Sequence, residues 1–337
     1  MSGGRRRVII DTDPSAGVPG ADIDDVLALA CALGDPDLRV QGITVVAGNV
    51  ELPDALASAL LTLEAFGCLD IPVHAGAARA LIRDRAEITA LLRDRGDDPL
   101  ARELWRDVPR PASARRPASG RAAEFIVETV LAAPGEITLI PVGPLTNVAT
   151  ALLLEPRVAT HVHEIVFMGG NVRGSEGGVS PIEFNVANDP EAAHVVFCSG
   201  AALVMVGLDV TTRTHLTLEA LERATASGTP AARFVRRITE PWIHFVQTRR
   251  GSPGCWLHDP LAVVAAADRT VVATERLEVG VELRGEATYG LTMSRRPGMS
   301  GGRQLRGGPV DVAVSVDNAR FMGRFLPALS RAVSTSG

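Results

Sequence analysis

The sequence contains no lysine; all 34 of its basic residues are arginine. It also has only four cysteines, Cys31, Cys68, Cys198 and Cys255, none in a C-x-x-C pair. That spacing argues against a zinc site or a disulfide framework and fits a reducing, cytoplasmic setting. No apolar run approaches the roughly 18 residues needed to span a membrane. The charged start enters a strand at once, which is not the pattern of a signal peptide. A net charge of -5 gives no basic footprint for nucleic acid, and the triplet Arg5-Arg6-Arg7 reads as a solvated start. Neither repeats nor linkers are visible. The 337 residues, 46% hydrophobic and 22% charged, are those of an ordinary globular protein.

Short β-rich runs alternate with helical patterns. Strands are expected at Val8–Asp11, Val40–Val46, Ile137–Val142, Glu164–Met168 and Leu203–Gly207. Helices are expected near Asp24–Leu33, Pro53–Phe66, Ala122–Ala132, Leu145–Leu153 and Pro190–Cys198. Strands apolar on both faces suit a mostly parallel, open sheet flanked by helices, hence an α/β fold. Residues 79–120, rich in Arg, Asp, Pro and Ala, read as a partly helical surface excursion. Beyond Leu218 come added helices, a small antiparallel region at 270–294, and a last strand at 309–316 before a final helix. One elaborated domain over residues 1–337 is expected.

What the chain does have is acid. Asp11, Asp13, Asp22, Asp24 and Asp25 place five carboxylates within the first 25 residues, after the apolar run Val8-Ile9-Ile10. Like charges repel, so such a cluster needs protons or a cation, and hard oxygen ligands suit Ca²⁺ or Mg²⁺. No basic residue lies between Val8 and Arg39 to compensate Asp13, Asp24 and Asp25. Other uncommon polar groups also follow strands: Asn49, Asn147, Asn171 and Asp209. In open α/β sheets ligands bind beyond the carboxyl ends of strands, so these groups share the expected edge. Each has a local reading too. Asp11 could accept loop amides, Asn147 could brace its turn, and Asp189 and Asp259, each followed by proline, could cap helices. Glu183-Phe184-Asn185, in a Gly-rich loop, is a weak signal by itself.

Taken together, these motifs resemble those of the inosine–uridine-preferring nucleoside hydrolases. The resemblance rests on Asp11-Thr12-Asp13-Pro14 with Asp24-Asp25, Val46-Ala47-Gly48-Asn49, Gly143-Pro144-Leu145-Thr146-Asn147 and Met168-Gly169-Gly170. It continues through Glu183-Phe184-Asn185, Asp189-Pro190-Glu191-Ala192-Ala193 and His258-Asp259-Pro260-Leu261. It implies a Ca²⁺-dependent enzyme that cleaves the N-glycosidic bond of ribonucleosides to base and ribose. By that resemblance Asp13, Asp25, Asp259 and the carbonyl of Val142 hold the metal, and Asp11 orients the site. Asp24, Asn49 and Asn185 meet the ribose 2′- and 3′-hydroxyls, Glu183 the 5′-hydroxyl side, and His258 the leaving base. Asp13 is the implied general base toward a calcium-bound water. The family's usual assembly implies a homo-oligomer, dimer or tetramer.

Three departures stand out. The opening motif carries seven extra residues, Ser15–Ala21, expected to bulge outward while the acids converge; an altered loop pairing would put Asp22 in place of Asp24. A His-Gly-x-x-Gly-Leu segment that helps bind the base in many members is missing; Asp98-Pro99-Leu100 is its nearest relic, and Trp105 is placed near the mouth instead. An asparagine expected before Glu183 falls at Gly177, so that one 5′-hydroxyl contact is either lost or supplied by Asn171. Two other functions remain open: a non-catalytic Ca²⁺-dependent nucleoside or ribose binder, and a Mg²⁺ phosphatase. The second draws on the Asp11-Thr12-Asp13 pattern but needs a lysine that this chain lacks.

Overall fold

Strand β1 (Arg6–Thr12) is the axis of the fold in a computed structural model that describes residues 4–174, 180–298 and 305–331. Its residues Val8, Ile9 and Ile10 are all buried. Val8 and Ile10 join one apolar cluster and Ile9 the other, because successive side chains of a strand point to opposite faces. Both faces are therefore covered, as a parallel strand requires. The strands that follow are β2 (Leu38–Val45), β3 (Val73–Ala75), β4 (Ile137–Pro141), β5 (Glu164–Met168) and β6 (Leu203–Val206). After them come β7 (His215–Leu216), β8 (Cys255–Trp256), β9 (Val272–Val281), β10 (Thr292–Arg295) and β11 (Gly307–Val316).

Nine of these form one mixed sheet in the order β10-β9-β11-β6-β5-β4-β1-β2-β3, while β7 and β8 make a separate pair. From β11 to β3 every pairing is parallel; β9 is antiparallel to both β10 and β11. The antiparallel region expected at 270–294 thus extends the main sheet. The chain leaves β1 for β2 and β3 on one side, then crosses to β4 on the other. The strand order reverses between β1 and β4, where an open parallel sheet splits to form a ligand crevice. Helices Asp24–Gly34 and His258–Ala267 pack together over this point, both almost wholly buried, which explains why they are apolar all round.

The short strand β3 and the pair β7–β8 escape a periodicity argument, since three- and two-residue strands show no alternation. The 79–120 excursion does lie at the surface and is partly helical, with helices Ala86–Asp97 and Pro99–Leu104. Two expectations about this region are corrected. Trp105 does not reach the mouth of a site; it is buried, edge-on to Trp242 and Phe245 at 6.5 and 6.2 Å. The apolar ring outweighed its polar neighbours in sequence.

Nor does the Ser15–Ala21 insert bulge outward. Ser15 and Ala16 are fully buried, and the Ser15 hydroxyl closes the loop by donating to the carbonyl of Asp22. Gly17 and Gly20 adopt left-handed φ of 74° and 70°. A Cβ on Gly17 would collide with the Pro109 carbonyl, and one on Gly20 would lie 2.5 Å from the Arg95 carbonyl. The excursion thus forms a cover over the insert. Gly20→Ala is expected to lower stability by about 1–3 kcal/mol in urea unfolding. Gly67→Ala shares the left-handed φ (72°) but meets open space, so its smaller loss isolates the packing contribution.

Candidate functional site

The acids expected to converge do so at the end of β1. Asp11 accepts from Thr44 Oγ1 (2.6 Å) and Asn147 Nδ2 (2.9 Å). Burial still raises its pKa to about 7. Asn147 also donates to the Val45 carbonyl (3.2 Å) and accepts from Ala77 N (2.8 Å), so it ties three strand ends together rather than bracing only its own turn. Asp13 Oδ2 accepts from Asn49 N at 2.5 Å, while its Oδ1 is buried without a hydrogen bond. Asp25 accepts from Thr12 Oγ1 (2.5 Å), Asp13 N (3.0 Å) and Asn49 Nδ2 (2.9 Å). Asp24 Oδ2 accepts from Asp259 N at 3.3 Å. Side chains at Gly48 and Gly143 would occupy the place of the Asp13 carboxylate, which is why both turns carry glycine.

Carboxylate oxygens of Asp24, Asp25 and Asp259 lie within 4.8 Å of one another. Burial, followed by repulsion from neighbouring carboxylates, holds Asp13, Asp24 and Asp259 well above the usual carboxylate range. The nearest cation, Arg85, instead spends its guanidinium on the Gly48 carbonyl (2.7 Å) and Asn188 Oδ1 (2.8 Å). A divalent cation fits this donor set: several hard oxygens, buried, under-compensated, with Asp13 Oδ1 lacking a partner. The Val142 carbonyl borders the same space and accepts from Asn185 Nδ2 at 2.7 Å, leaving one lone pair free.

A cavity of about 1040 Å³ opens above the acids. Asp24, Asn49, Val142, Glu183, Asn185, His258 and Asp259 all line it. Glu183 caps the short helix Phe184–Asn188: its oxygens accept from Asn185 N (2.7 Å), Val186 N (3.0 Å) and Gly170 N (3.0 Å). Asn171 sits behind this wall, its backbone N donating to Thr292 Oγ1 at 2.8 Å. Gly177 lies outside the described residues. His258 Nδ1 is 2.7 Å from Thr211 Oγ1, and burial, with the nearby charge of Arg250, lowers its pKa to about 3. The imidazole is neutral there.

The local capping readings divide. Asp189 is a cap, accepting from Ala192 N (3.0 Å), and additionally from Thr146 Oγ1 (2.7 Å) and Leu81 N (2.9 Å). Asp259 is not; it lies one residue inside its helix, whose cap position is Leu257, and faces the other acids. Sequence reasoning missed part of the wall: Ile88, Leu91, Arg95, Phe184, Arg250 and Trp256. Arg95 and Arg250 sit in arginine-rich stretches where no motif separates a cavity residue from a solvated one. Among the described residues no helix is long and apolar enough to cross a membrane.

Comparison with known proteins agrees with this geometry. The family model for inosine-uridine preferring nucleoside hydrolases matches residues 8–323. The chain is 34% identical to an inosine-uridine preferring nucleoside hydrolase of Crithidia fasciculata, over 97% of this chain and 98% of that one. It is 31% identical to a pyrimidine-specific ribonucleoside hydrolase of Escherichia coli, over 95% of each. Its fold superposes on a purine-preferring ribonucleoside hydrolase from Gardnerella vaginalis with a TM-score of 0.82 and 30% identity, covering 98% of this chain and 100% of that one. The chain thus belongs to the inosine-uridine preferring nucleoside hydrolase family and is an enzyme acting on ribonucleosides.

Proposed function

We propose that the protein hydrolyses the N-glycosidic bond of ribonucleosides to free base and ribose, with Ca²⁺ as its metal. The observation that carries this reading is the convergence of buried, under-compensated carboxylates with Asn49 and Asn185 in one cavity. Asp13, Asp25, Asp259 and the Val142 carbonyl would hold the ion, and carboxylate oxygens of Asp25 and Asp259 lie within 4.8 Å of each other and of Asp24. When bound, it would supply Lewis acidity toward a water molecule and the ribose hydroxyls.

The residues divide the work by chemistry. Cleavage builds positive charge at C1′ and negative charge on the base. The carboxylates around the sugar favour the first. Asp13 is assigned as the general base, since its Oδ1 is free to take a proton and its Oδ2 is fixed by the Asn49 amide. Asp24, Asn49 and Asn185 are assigned to the 2′- and 3′-hydroxyls, Glu183 to the 5′-hydroxyl end with Asn171 behind it rather than in contact, and Asp11 to orienting the cluster. We assign Thr211 Oγ1 as the donor across its 2.7 Å contact with Nδ1, which would put the His258 proton on Nε2, toward the departing base. Attack from the face opposite the base inverts C1′. A homo-oligomer in the cytoplasm, acting in nucleoside salvage, completes the reading; four free cysteines suit a reducing compartment.

Ribose release from a panel of ribonucleosides with Ca²⁺ present is the direct test. Turnover is expected, lost on chelation and restored by Ca²⁺. Asp13→Ala is expected to lower kcat by about 10²–10⁴-fold; saturable nucleoside binding with no turnover in the unaltered protein would instead identify a binder. His258→Ala is expected to lower kcat on natural nucleosides by about 10²-fold. Metal binding is separable from turnover by thermal melting: Ca²⁺ at 100 times its Kd adds about 2.7 kcal/mol of stability. Asp259→Asn should abolish that gain while melting no lower than wild type in chelator, because it relieves buried repulsion.

A further inference from the structure

Two walls of the cavity are joined by one side chain that no sequence motif marks. Arg85 stands at the cap position of helix Ala86–Asp97, in the surface excursion. It is half-buried, and its guanidinium forks: Nη2 donates to the Gly48 carbonyl at 2.7 Å and Nε to Asn188 Oδ1 at 2.8 Å. Gly48 precedes Asn49, which lines the cavity, and Asn188 ends the short helix Phe184–Asn188, which carries Asn185. Asn188 Nδ2 in turn donates to the Phe184 carbonyl at 2.8 Å, which leaves its oxygen for Arg85. The rest of the segment is tethered elsewhere. Leu81 N donates to Asp189 Oδ2 at 2.9 Å, and Arg83 lies 3.6 Å over the Tyr289 ring and 3.8 Å from Glu191, none of these partners lining the cavity.

The contact to Gly48 reaches the acids through a single peptide group. The Gly48 carbonyl and the Asn49 N–H belong to the same planar unit. Arg85 donates to its oxygen, and its N–H donates to Asp13 Oδ2 at 2.5 Å. A rigid plane held at both edges cannot turn without breaking one of the two bonds. Bonds in such a chain also polarise one another, so the guanidinium strengthens the amide that holds Asp13. Asn49 extends its Nδ2 to Asp25 Oδ2 at 2.9 Å from the same place. Gly48 lets the plane lie this close, since a Cβ there would overlap the Asp13 carboxylate. Arg85 lies in the fields of Asp13, Glu51 and Asp189, yet among the described residues it forms no salt bridge. Its two uncharged acceptors set where it sits.

We propose that Arg85 is a positioning residue for the reaction: through the Gly48–Asn49 peptide it fixes the Asp13 carboxylate and the Asn49 side chain, and through Asn188 it sets their distance from the helix that carries Asn185. The inference rests on the nucleoside hydrolase reading, in which Asp13 is the general base and Asn49 and Asn185 meet the ribose. Arg85 does not line the cavity, so it touches neither ribose nor base. Its effect falls on the sugar and metal groups and is the same for every leaving group. A lysine keeps the charge but offers one compact ammonium in place of the fork, and cannot serve both acceptors with the same geometry. A cation that acted through its charge alone would repel Ca²⁺, so its removal would tighten the metal; a positioning residue, once removed, loosens it.

The test uses the full chain with Ca²⁺ and two substrates, inosine and a 4-nitrophenyl riboside, whose leaving group departs without a proton from His258. Arg85→Ala is expected to lower kcat/KM by about tenfold or more on both, and to weaken Ca²⁺ binding, read by thermal melting without substrate, by about tenfold. Dilute guanidinium chloride should restore part of each loss, and Arg85→Lys should fall between Arg85→Ala and wild type. Arg83→Ala, which loosens the same segment, is expected to lower the melting temperature while leaving kcat/KM and the Ca²⁺ affinity as in wild type. Should Arg85→Ala fail to fold, Asn188→Ala, which removes one arm of the fork, is held to the same criterion with a smaller loss. Unchanged kcat/KM, unchanged or tighter Ca²⁺ binding, or an equal loss in Arg83→Ala would overturn the proposal. So would a loss confined to inosine, which would put the effect at the leaving group. No release by the unaltered protein from the riboside or any nucleoside refutes hydrolysis itself, whereas wild-type turnover that Arg85→Ala retains in full refutes only the positioning role.

Discussion

Everything in this molecule is arranged around negative charge buried at the point where the sheet reverses direction. Asp11, Asp13, Asp24, Asp25 and Asp259 are at most a few per cent exposed, and among the described residues none of them forms a salt bridge. Burial of that kind is tolerated only with protons, hydrogen bonds or a metal ion. Each supporting feature follows from it. Gly48 and Gly143 leave room for the Asp13 carboxylate. Thr12, Asn49 and the backbone of β1 saturate Asp25. Asn147 joins β1, β2 and the turn after β3 beneath the cluster. The parallel sheet matters because it delivers all of these to one edge.

The two ends of the cavity depend on different parts of the chain. The inner end, proposed to take the sugar, is built from strand ends and from the first turns of two helices, Asp24–Gly34 and His258–Ala267, positions that a rigid core dictates. The outer end is built from the excursion, the last turn of the long helix Pro230–Arg250 and the segment after it. Relatives with different stated base preferences match this chain over nearly its whole length. A rigid sugar end with a replaceable outer wall accounts physically for how one frame can serve several bases.

Much of the architecture was legible because burial leaves a periodic trace. The main strands and helices fall where apolar runs and helical spacing put them, and Asp189-Pro190 marks a true helix start. The failures share one cause. Local spacing left Asp259 open between cap and metal ligand, because it cannot show that other carboxylates arrive from far along the chain. The insert looked like a bulge because nothing in Ser15–Ala21 announces that the excursion will lie on Gly17 and Gly20. Trp105 was placed at the mouth in lieu of the missing His-Gly-x-x-Gly-Leu segment, and found its partners in Trp242 and Phe245, more than a hundred residues away.

By itself, then, the sequence determined the kind of fold, the edge that binds, and the residue types that suit a cation and a ribose. These follow from local periodicity and from carboxylates with no nearby basic residue. Only the tertiary structure decided which acids share one small volume, that Glu183 turns its carboxylate to three backbone amides, and that Arg95, Arg250 and Trp256 line the same cavity. Those outcomes depend on contacts between distant segments, and no period or spacing encodes such contacts.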